Sequence, residues 1–431
     1  MTEGQPRGHA VRTCLLAQRI GADLGLSESD LTHLFYAALL KDSGCSTNAV
    51  RIQQAFGGDE LENKRDVKFV DWSNFLKSAW YGLSHAERGA PAGVRLRKML
   101  DMAKTPTGLM DEVTAARCSR GADIARQLGF DVATSDAVRH LDEHWDGRGS
   151  PSHLRGDRIP VLARILCLCQ TMELFASVIG VPEAVAMVRR RKGRWFDPEV
   201  AQAAIALEHD HAFWLEMNAH GGDASPELTA PADAQAATDA DVDEICLAFA
   251  SIVDAKSGFT GQHSTRVTEY SVAIAARLGI GGERLKTLRR AALLHDLGKL
   301  GISNAILDKP GKLTDEEFTK VRMHPRYSHE ILARIRGFER ITEIASAHHE
   351  RLDGRGYWRG LSAEHLDLDM RIVAAADVYD ALTAKRPYRD AMPATKALSI
   401  MREDEGRAFD PVCIEALTGL YVEEPAVAYA G

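Results

Sequence analysis

The 431-residue chain is 45% hydrophobic and 26% charged, proportions of a folded protein with room for two or three domains rather than of a disordered one. Its net charge of −8 argues against broad, sequence-independent binding to DNA or RNA. No apolar run approaches the roughly 18 residues of a membrane span. The opening MTEGQPRGHAVR lacks the apolar core of a secretory signal, and the seven cysteines have no disulfide-framework spacing; no membrane association and a reducing cytoplasm are therefore expected.

In chain order, the first landmark is His9-Ala-Val-Arg12, followed 33 residues later by Asp42 in the segment AALLKDSG. A long insertion with Trp72, Trp80 and Tyr81 separates Asp42 from Arg117, and no periodicity assigns it a structure. His140 and His144 precede DGRG at Asp146, and their expected role is in the surface or core rather than on a metal. Cys167 and Cys169 lie in the apolar run ILCLC and read as buried helix thiols rather than a metal pair. The half closes on GRWFDP at 193–198. Residues 219–241, rich in Ala, Asp, Gly and Pro, read as a linker between domains at 1–218 and 242–431.

Beyond the linker the same landmarks return. His263-Ser-Thr-Arg266 is again followed after 33 residues by Asp296 in AALLHDLG. DGRG recurs at Asp353 and Arg-Ile at Arg371, each 207 residues after its counterpart, and GRAFDP stands at 406–411. Agreement at ordered places predicts a tandem duplication. Helical stripes are predicted through His263, Val267, Tyr270, Ile274 and Leu278, through Leu285, Leu288, Ala292 and His295, and through Ile341, Ile344 and His348. Thr314 to Glu317 has the form of a capping box, and Pro325 is expected to end or kink that helix after His324. A last helix starts at Met370, with no alternating strand pattern anywhere. The fold class that follows is all-α, two tandem helical bundles.

Several stripes of the second half end in, or contain, a histidine or aspartate. Burying so many titratable groups without a cation is costly. A shared metal centre built from inward-facing side chains removes that cost, and the His/Asp donors suit iron, manganese or zinc better than magnesium or calcium.

The ordered motifs are specific. His263-Ser-x-Arg-Val, His295-Asp296-x-Gly-Lys299, His324-Pro325, His348-His349-Glu350, Asp353-Gly-x-Gly-Tyr357, Ala376-Asp377-Val-Tyr-Asp-Ala-Leu-Thr and Arg386-Pro-Tyr-Arg389 follow one another over most of 242–420. This set resembles the HD-GYP family of helical, metal-dependent cyclic di-GMP phosphodiesterases. The resemblance implies His263, His295, Asp296, His324, His348, His349 and Asp377 as ligands of two transition-metal ions, iron or manganese, with Asp296 bridging them. The glutamate with which some members hold a third metal is replaced by Phe259. Lys299 is the candidate for a phosphate oxygen or the leaving group; Arg386, Arg389 and Tyr357 are candidates for binding the substrate. The family's Gly-Tyr-Pro loop reads Gly356-Tyr357-Trp358 here, and Ser328 stands where the family usually has glycine.

In the first half only His9 and Asp42 keep ligand types; Lys41, Arg117, Leu141 with Asp142, and Gln170 occupy the other positions. That copy is expected to be non-catalytic. The implied reaction is hydrolysis of cyclic di-GMP to pGpG or GMP. The alternatives are another cyclic dinucleotide such as 3′,3′-cyclic GMP-AMP (3′3′-cGAMP), or a scaffold that binds the nucleotide without turnover. A homodimer, or contact with a diguanylate cyclase domain, is the expected partnership.

Overall fold

The computed structural model describes residues 5–45, 109–220, 228, 229, 231, 237–256, 262–309, 311–385 and 390–422. Trp72, Trp80, Tyr81, Phe259, Arg386 and Arg389 lie outside the described residues. The chain is all-α, with no strand among the described residues, and divides into two units, Met1–Thr238 and Asp239–Gly431.

The first unit runs α1 (His9–Asp23), α2 (Glu28–Leu40), α3 (Leu109–Gln127), α4 (Val132–Arg139), α5 (Val161–Val178), α6 (Val181–Arg191), α7 (Pro198–Ala206) and α8 (His211–Ala219); α1, α2, α4 and α6 pack against α5, and α3 packs on α4. Ser27 and Asp131 cap α2 and α4 by accepting from Asp30 N and Ala133 N. Contrary to the sequence expectation, α5 is long and apolar enough to cross a membrane by length and composition. Its apolarity has another cause: 72% of it is buried, and a helix packed on every side is apolar all round. Cys167 and Cys169 are core thiols of this helix, and burial pushes the Cys167 thiol up to about 12.

One buried clasp secures α1 to α5. Glu173, fully buried, takes His9 Nδ1 and Arg12 Nε, the latter at 2.6 Å, and accepts from Ser177 Oγ at 2.6 Å. Burial opposes its ionisation, but the His9, Ser177 and Arg12 contacts win and hold the carboxyl at about 2, against an ordinary 4.5. A depressed carboxylate stabilises the fold above its unfolded value and loses that contribution as pH falls through its folded one. The clasp should therefore be worth about 3 kcal/mol at neutral pH and fade between roughly pH 4.5 and 2. Trp72, Trp80, Trp145, Trp195 and Trp214 all belong to this unit, so tryptophan fluorescence reports its acid unfolding. Glu173→Gln should lower the neutral-pH stability and flatten the acid limb; an acid transition identical to wild type would show that other carboxylates set it.

The second unit runs α9 (Asp239–Asp254), α10 (His263–Arg277), α11 (Gly282–Leu294), α12 (Asn304–Leu307), α13 (Asp315–Val321), α14 (His324–Leu332), α15 (Glu339–Ala345), α16 (Leu368–Thr383), α17 (Ala394–Glu403) and α18 (Pro411–Val422). Its core is aliphatic, with Val267, Ile274, Leu288, Leu332, Ile344, Ile372 and Leu417 fully or nearly fully buried. Thr314 and Glu317 form the expected reciprocal capping box on α13. Two boundaries differ from the sequence reading. Pro325 opens α14 rather than ending α13, because a residue without an N–H suits the first helical turn. His348 is not on a helix: α15 stops at Ala345, and His348 sits in the turn behind it.

Several of the repeated motifs prove to be structural fastenings. Arg164 Nη1 meets Asp197 Oδ2 at 2.7 Å in the first unit, and Arg371 Nη1 meets Asp410 Oδ2 at 2.6 Å in the second. Glu143 accepts from Ser152 N and Leu154 N at 2.6 and 3.0 Å, as Glu350 accepts from Arg359 N and Leu361 N at 2.8 Å each. These carboxylates pin the DGRG loops and explain why Glu350 recurs without serving as a ligand.

Candidate metal centre

The second unit gathers its histidines by a common device. His295 follows the last residue of α11, His324 opens α14 behind the turn that ends α13, and His348 lies behind α15. Each donates from Nδ1 to the carbonyl three residues earlier, Ala292, Val321 and Ala345, at 2.7 Å in all three cases. A carbonyl only accepts, so Nδ1 carries the proton and Nε2 presents its lone pair inward. His263, first residue of α10, instead donates from Nδ1 to Asp380 Oδ2 at 2.7 Å. Helix ends leave orphan carbonyls, and these imidazoles satisfy them while aiming at one point.

That point is Asp296. Its Oδ2 lies 3.4 Å from both His263 Nε2 and His295 Nε2, and its Oδ1 lies 3.3 Å from His324 Nε2 and 3.8 Å from His348 Nε2. One carboxylate thus faces two histidine pairs with its two oxygens. Asp377, buried on α16, has Oδ1 3.2 Å from His263 Nε2 and 3.8 Å from His295 Nε2, and Oδ2 3.8 Å from His349 Nδ1. His263 with His295 and Asp296, His324 with His348 and His349, and His295 with His348 and Asp377 each form a group spaced to hold a metal ion. All seven residues singled out from the sequence are members of these groups.

The cluster fits metal ions on its own chemistry. His295 Nε2 and Asp296 Oδ1 are buried without a hydrogen-bond partner. His324 Nε2 and His348 Nε2 stand 3.0 Å apart with both Nδ1 atoms already donating, so two lone pairs face each other unless a cation lies between or beside them. Burial opposes ionisation of Asp296, but Lys299 and the neighbouring histidines hold its carboxyl well below the usual range; His263, above all, does the same for Asp377. Burial keeps His348 well below its ordinary value and brings His349 to about 3, which leaves both imidazoles neutral and available as donors. Lys299 reaches the site and contacts Asp296 Oδ2. The opening lies on the side of His349 and Lys299, whose side chains are each 23% exposed while His263, Asp296 and Asp377 stay below 10%. Tyr357 leans on His349 there, ring centroids 4.7 Å apart.

Comparison with known proteins places this arrangement. A family profile described as HD domain matches residues 97–200 and 248–413, more than half of the chain. The chain is 42% identical over 426 residues to the 3'3'-cGAMP-specific phosphodiesterase 3 of Vibrio cholerae, covering 97% of this chain and 91% of that protein. The chain belongs to the HD-domain family. Another relative, the cyclic di-GMP phosphodiesterase response regulator RpfG of Xanthomonas campestris, is 40% identical over 171 residues, 39% of this chain and 45% of that one. A crystal structure of a V. cholerae cyclic GMP-AMP specific phosphodiesterase, V-cGAP3, superposes with a TM-score of 0.64 at 37% identity, over 99% of this chain and 95% of that one. The relatives' names agree with the HD-GYP resemblance of the motifs.

Within this HD-domain chain, three residues of the quoted motifs and departures have supporting roles that the sequence alone does not assign. Asp380 receives His263 Nδ1 and is itself held by Arg266, with Nε at 2.5 Å and Nη2 at 3.0 Å. The signal was available, because Asp380 stands 207 residues after Glu173, whose clasp on His9 and Arg12 has the same form. Ser328, in place of the family glycine, accepts from Gly298 N and donates to the His295 carbonyl, both at 2.8 Å, and so ties α14 to the His295-Asp296 turn. Glu350 holds the loop that carries Tyr357, where Gly356 packs so tightly that a Cβ would lie 2.6 Å from the His349 carbonyl oxygen. Asp380→Asn keeps the shape and removes the charge behind His263. Metal affinity by manganese titration should fall about 10- to 100-fold, the usual cost of losing such an orienting partner. Unchanged affinity would mean that packing alone aims His263.

Proposed function

We propose that the second unit is a two-metal phosphodiesterase that opens a cyclic dinucleotide, with 3′3′-cGAMP as first substrate. The observation that carries this is the division of Asp296, one oxygen toward His263 and His295 and the other toward His324 and His348, which is the arrangement of a carboxylate shared by two cations. His263, His295, His324, His348, His349, Asp296 and Asp377 would hold two iron or manganese ions. Such a pair activates water and neutralises charge developing at a phosphoryl group. The protein's own part is to aim the Nε2 lone pairs through carbonyl and carboxylate partners, to exclude water behind a buried cluster, and to admit substrate past His349. Lys299, which contacts Asp296 at the opening of the cluster, would donate to a phosphate oxygen or the leaving group. Tyr357, beside His349 at the opening, is a proposed substrate contact; Arg386 and Arg389 remain proposed substrate ligands.

The relative that covers nearly the whole chain favours 3′3′-cGAMP. Cyclic di-GMP is the second reading, favoured by the shorter match to the X. campestris protein. The first unit is proposed as non-catalytic: among the described residues the metal-competent groups all lie in the second unit, while Lys41 contacts Asp42 and Arg117 contacts Asp142 where cations would otherwise sit. The expected setting is cytoplasmic signalling. The deciding experiment loads the full chain with manganese or iron, counts bound metal, and follows 3′3′-cGAMP, cyclic di-GMP and cyclic di-AMP by chromatography. Hydrolysis of 3′3′-cGAMP with the highest kcat/KM is expected. Metal-loaded protein that leaves all three intact would overturn the enzymatic reading.

A further inference from the structure

Arg322 lies in the turn between α13 and α14, two residues before His324, and its side chain is exposed. Its guanidinium carbon sits 4.9 Å from the Phe318 ring and 4.9 Å from the Tyr357 ring. It makes no ion pair among the described residues. By contrast, Arg266, Arg284, Arg290, Arg340, Arg351 and Arg371 of this unit are fastened to carboxylates. Phe318 is itself 44% exposed, so the pair of rings forms an open rim rather than core. Tyr357 links this cation to the metal cluster, because the same ring leans on His349 at 4.7 Å.

Two rings beside the guanidinium restrict its rotamers, and because the residue is exposed its edge of N–H donors is available to solvent. An edge of that kind, fully charged and without a carboxylate, matches a phosphate in bidentate fashion. The cluster can engage only one phosphate at a time, whereas a cyclic dinucleotide carries two. We infer that Arg322, positioned by Phe318 and Tyr357, binds the phosphate of the cyclic dinucleotide that is not being cleaved. The inference rests on the substrate class proposed above and adds the residue that makes the site prefer a cyclic dinucleotide over a simple phosphodiester. A guanine edge is the competing partner for such a fork; a full negative charge makes the stronger, charge-assisted contact.

The contact is present before and during cleavage, so its loss should raise KM and leave kcat nearly unaffected. In the full-length, metal-loaded protein, Arg322→Gln should raise KM about 10-fold or more, the range of a lost charged hydrogen bond. The rise should be similar for 3′3′-cGAMP, cyclic di-GMP and cyclic di-AMP, and Arg322→Lys should recover part of it. A readout without turnover is the calorimetric Kd for a non-hydrolysable phosphorothioate analogue of 3′3′-cGAMP, which should weaken by the same factor with metal content and melting temperature unchanged. An unchanged Kd in Arg322→Gln overturns the inference even if the wild type is an active phosphodiesterase. A loss confined to guanine-bearing dinucleotides also overturns it, in favour of the base edge. A loss of metal or of thermal stability in both variants would make Arg322 a structural residue and overturn it as well. If the wild type hydrolyses nothing but binds the analogue through Arg322, the enzymatic reading falls and this one stands.

Discussion

Asp296→Ala is expected to remove both metal ions rather than one. Its Oδ2 faces His263 and His295 and its Oδ1 faces His324 and His348, so it meets four of the histidines, whereas Asp377 meets three, His263, His295 and His349. Without it, His324 Nε2 and His348 Nε2 remain 3.0 Å apart with Asp377 as the carboxylate left near them. The loss of turnover should exceed the roughly 10- to 100-fold expected for removing an orienting partner such as Asp380. His349→Ala is the informative comparison: His349 groups with His324 and His348, lies 3.8 Å from Asp377 and has a more exposed side chain, so its loss should leave more of the metal in place. Metal analysis of the two purified variants checks this ordering, and full occupancy in Asp296→Ala would remove the bridging role.

The second large effect is expected at Gly298, two residues beyond Asp296. A Cβ there would overlap the His324 carbonyl oxygen and lie 2.6 Å from Ser328 N and 2.8 Å from Tyr327 Cβ. The obstacles are mainly backbone, which cannot swing aside as a side chain does. Gly298→Ala must therefore push α14 away from the His295-Asp296 turn, and with it the Ser328 hydrogen bonds to Gly298 N and the His295 carbonyl. Overpacking of this kind costs about 1–3 kcal/mol or somewhat more. For a unit of this size a loss of about 3 kcal/mol corresponds to a fall in melting temperature of roughly 6–12 °C. Because His295, Asp296 and His324 border the displaced contact, metal affinity should fall together with stability. A variant with wild-type melting temperature and metal content would show that the turn yields more readily than its packing implies. Ser328→Gly, which restores the family's residue, should be milder, losing two hydrogen bonds without introducing a clash.

Much of the candidate site was legible because its residues combine two local properties. His263, His295 and Asp377 lie on or at the end of apolar helical stripes, and a titratable side chain at an inward position is visible in the order of residues alone. The all-α class was legible for the same reason, as was the Thr314 capping box. His348 faces the cluster for a different local reason than its spacing suggests: the interval from Ile341 and Ile344 matches a helix, but α15 ends at Ala345 and the imidazole caps the helix from the turn. Pro325 differs from its expected place because a proline that cannot continue one helix is equally suited to begin the next.

What the sequence by itself determined is therefore the helical periodicity, the recurrence of motifs at fixed offsets, and which residue types could act as donors. These are properties of neighbours along the chain. Only the tertiary structure decided which donor faces which. The split of Asp296 between two histidine pairs, the Asp380 carboxylate behind His263 and the Ser328 tie to the His295 turn join residues up to 52, 117 and 33 positions apart. Their geometry depends on how helices pack. The same distinction separates Glu350 from His349 beside it: adjacent in sequence, one accepts the backbone of the Tyr357 loop and the other turns to the metal cluster, because the chain leaves its helix before both and the loop that follows takes the carboxylate.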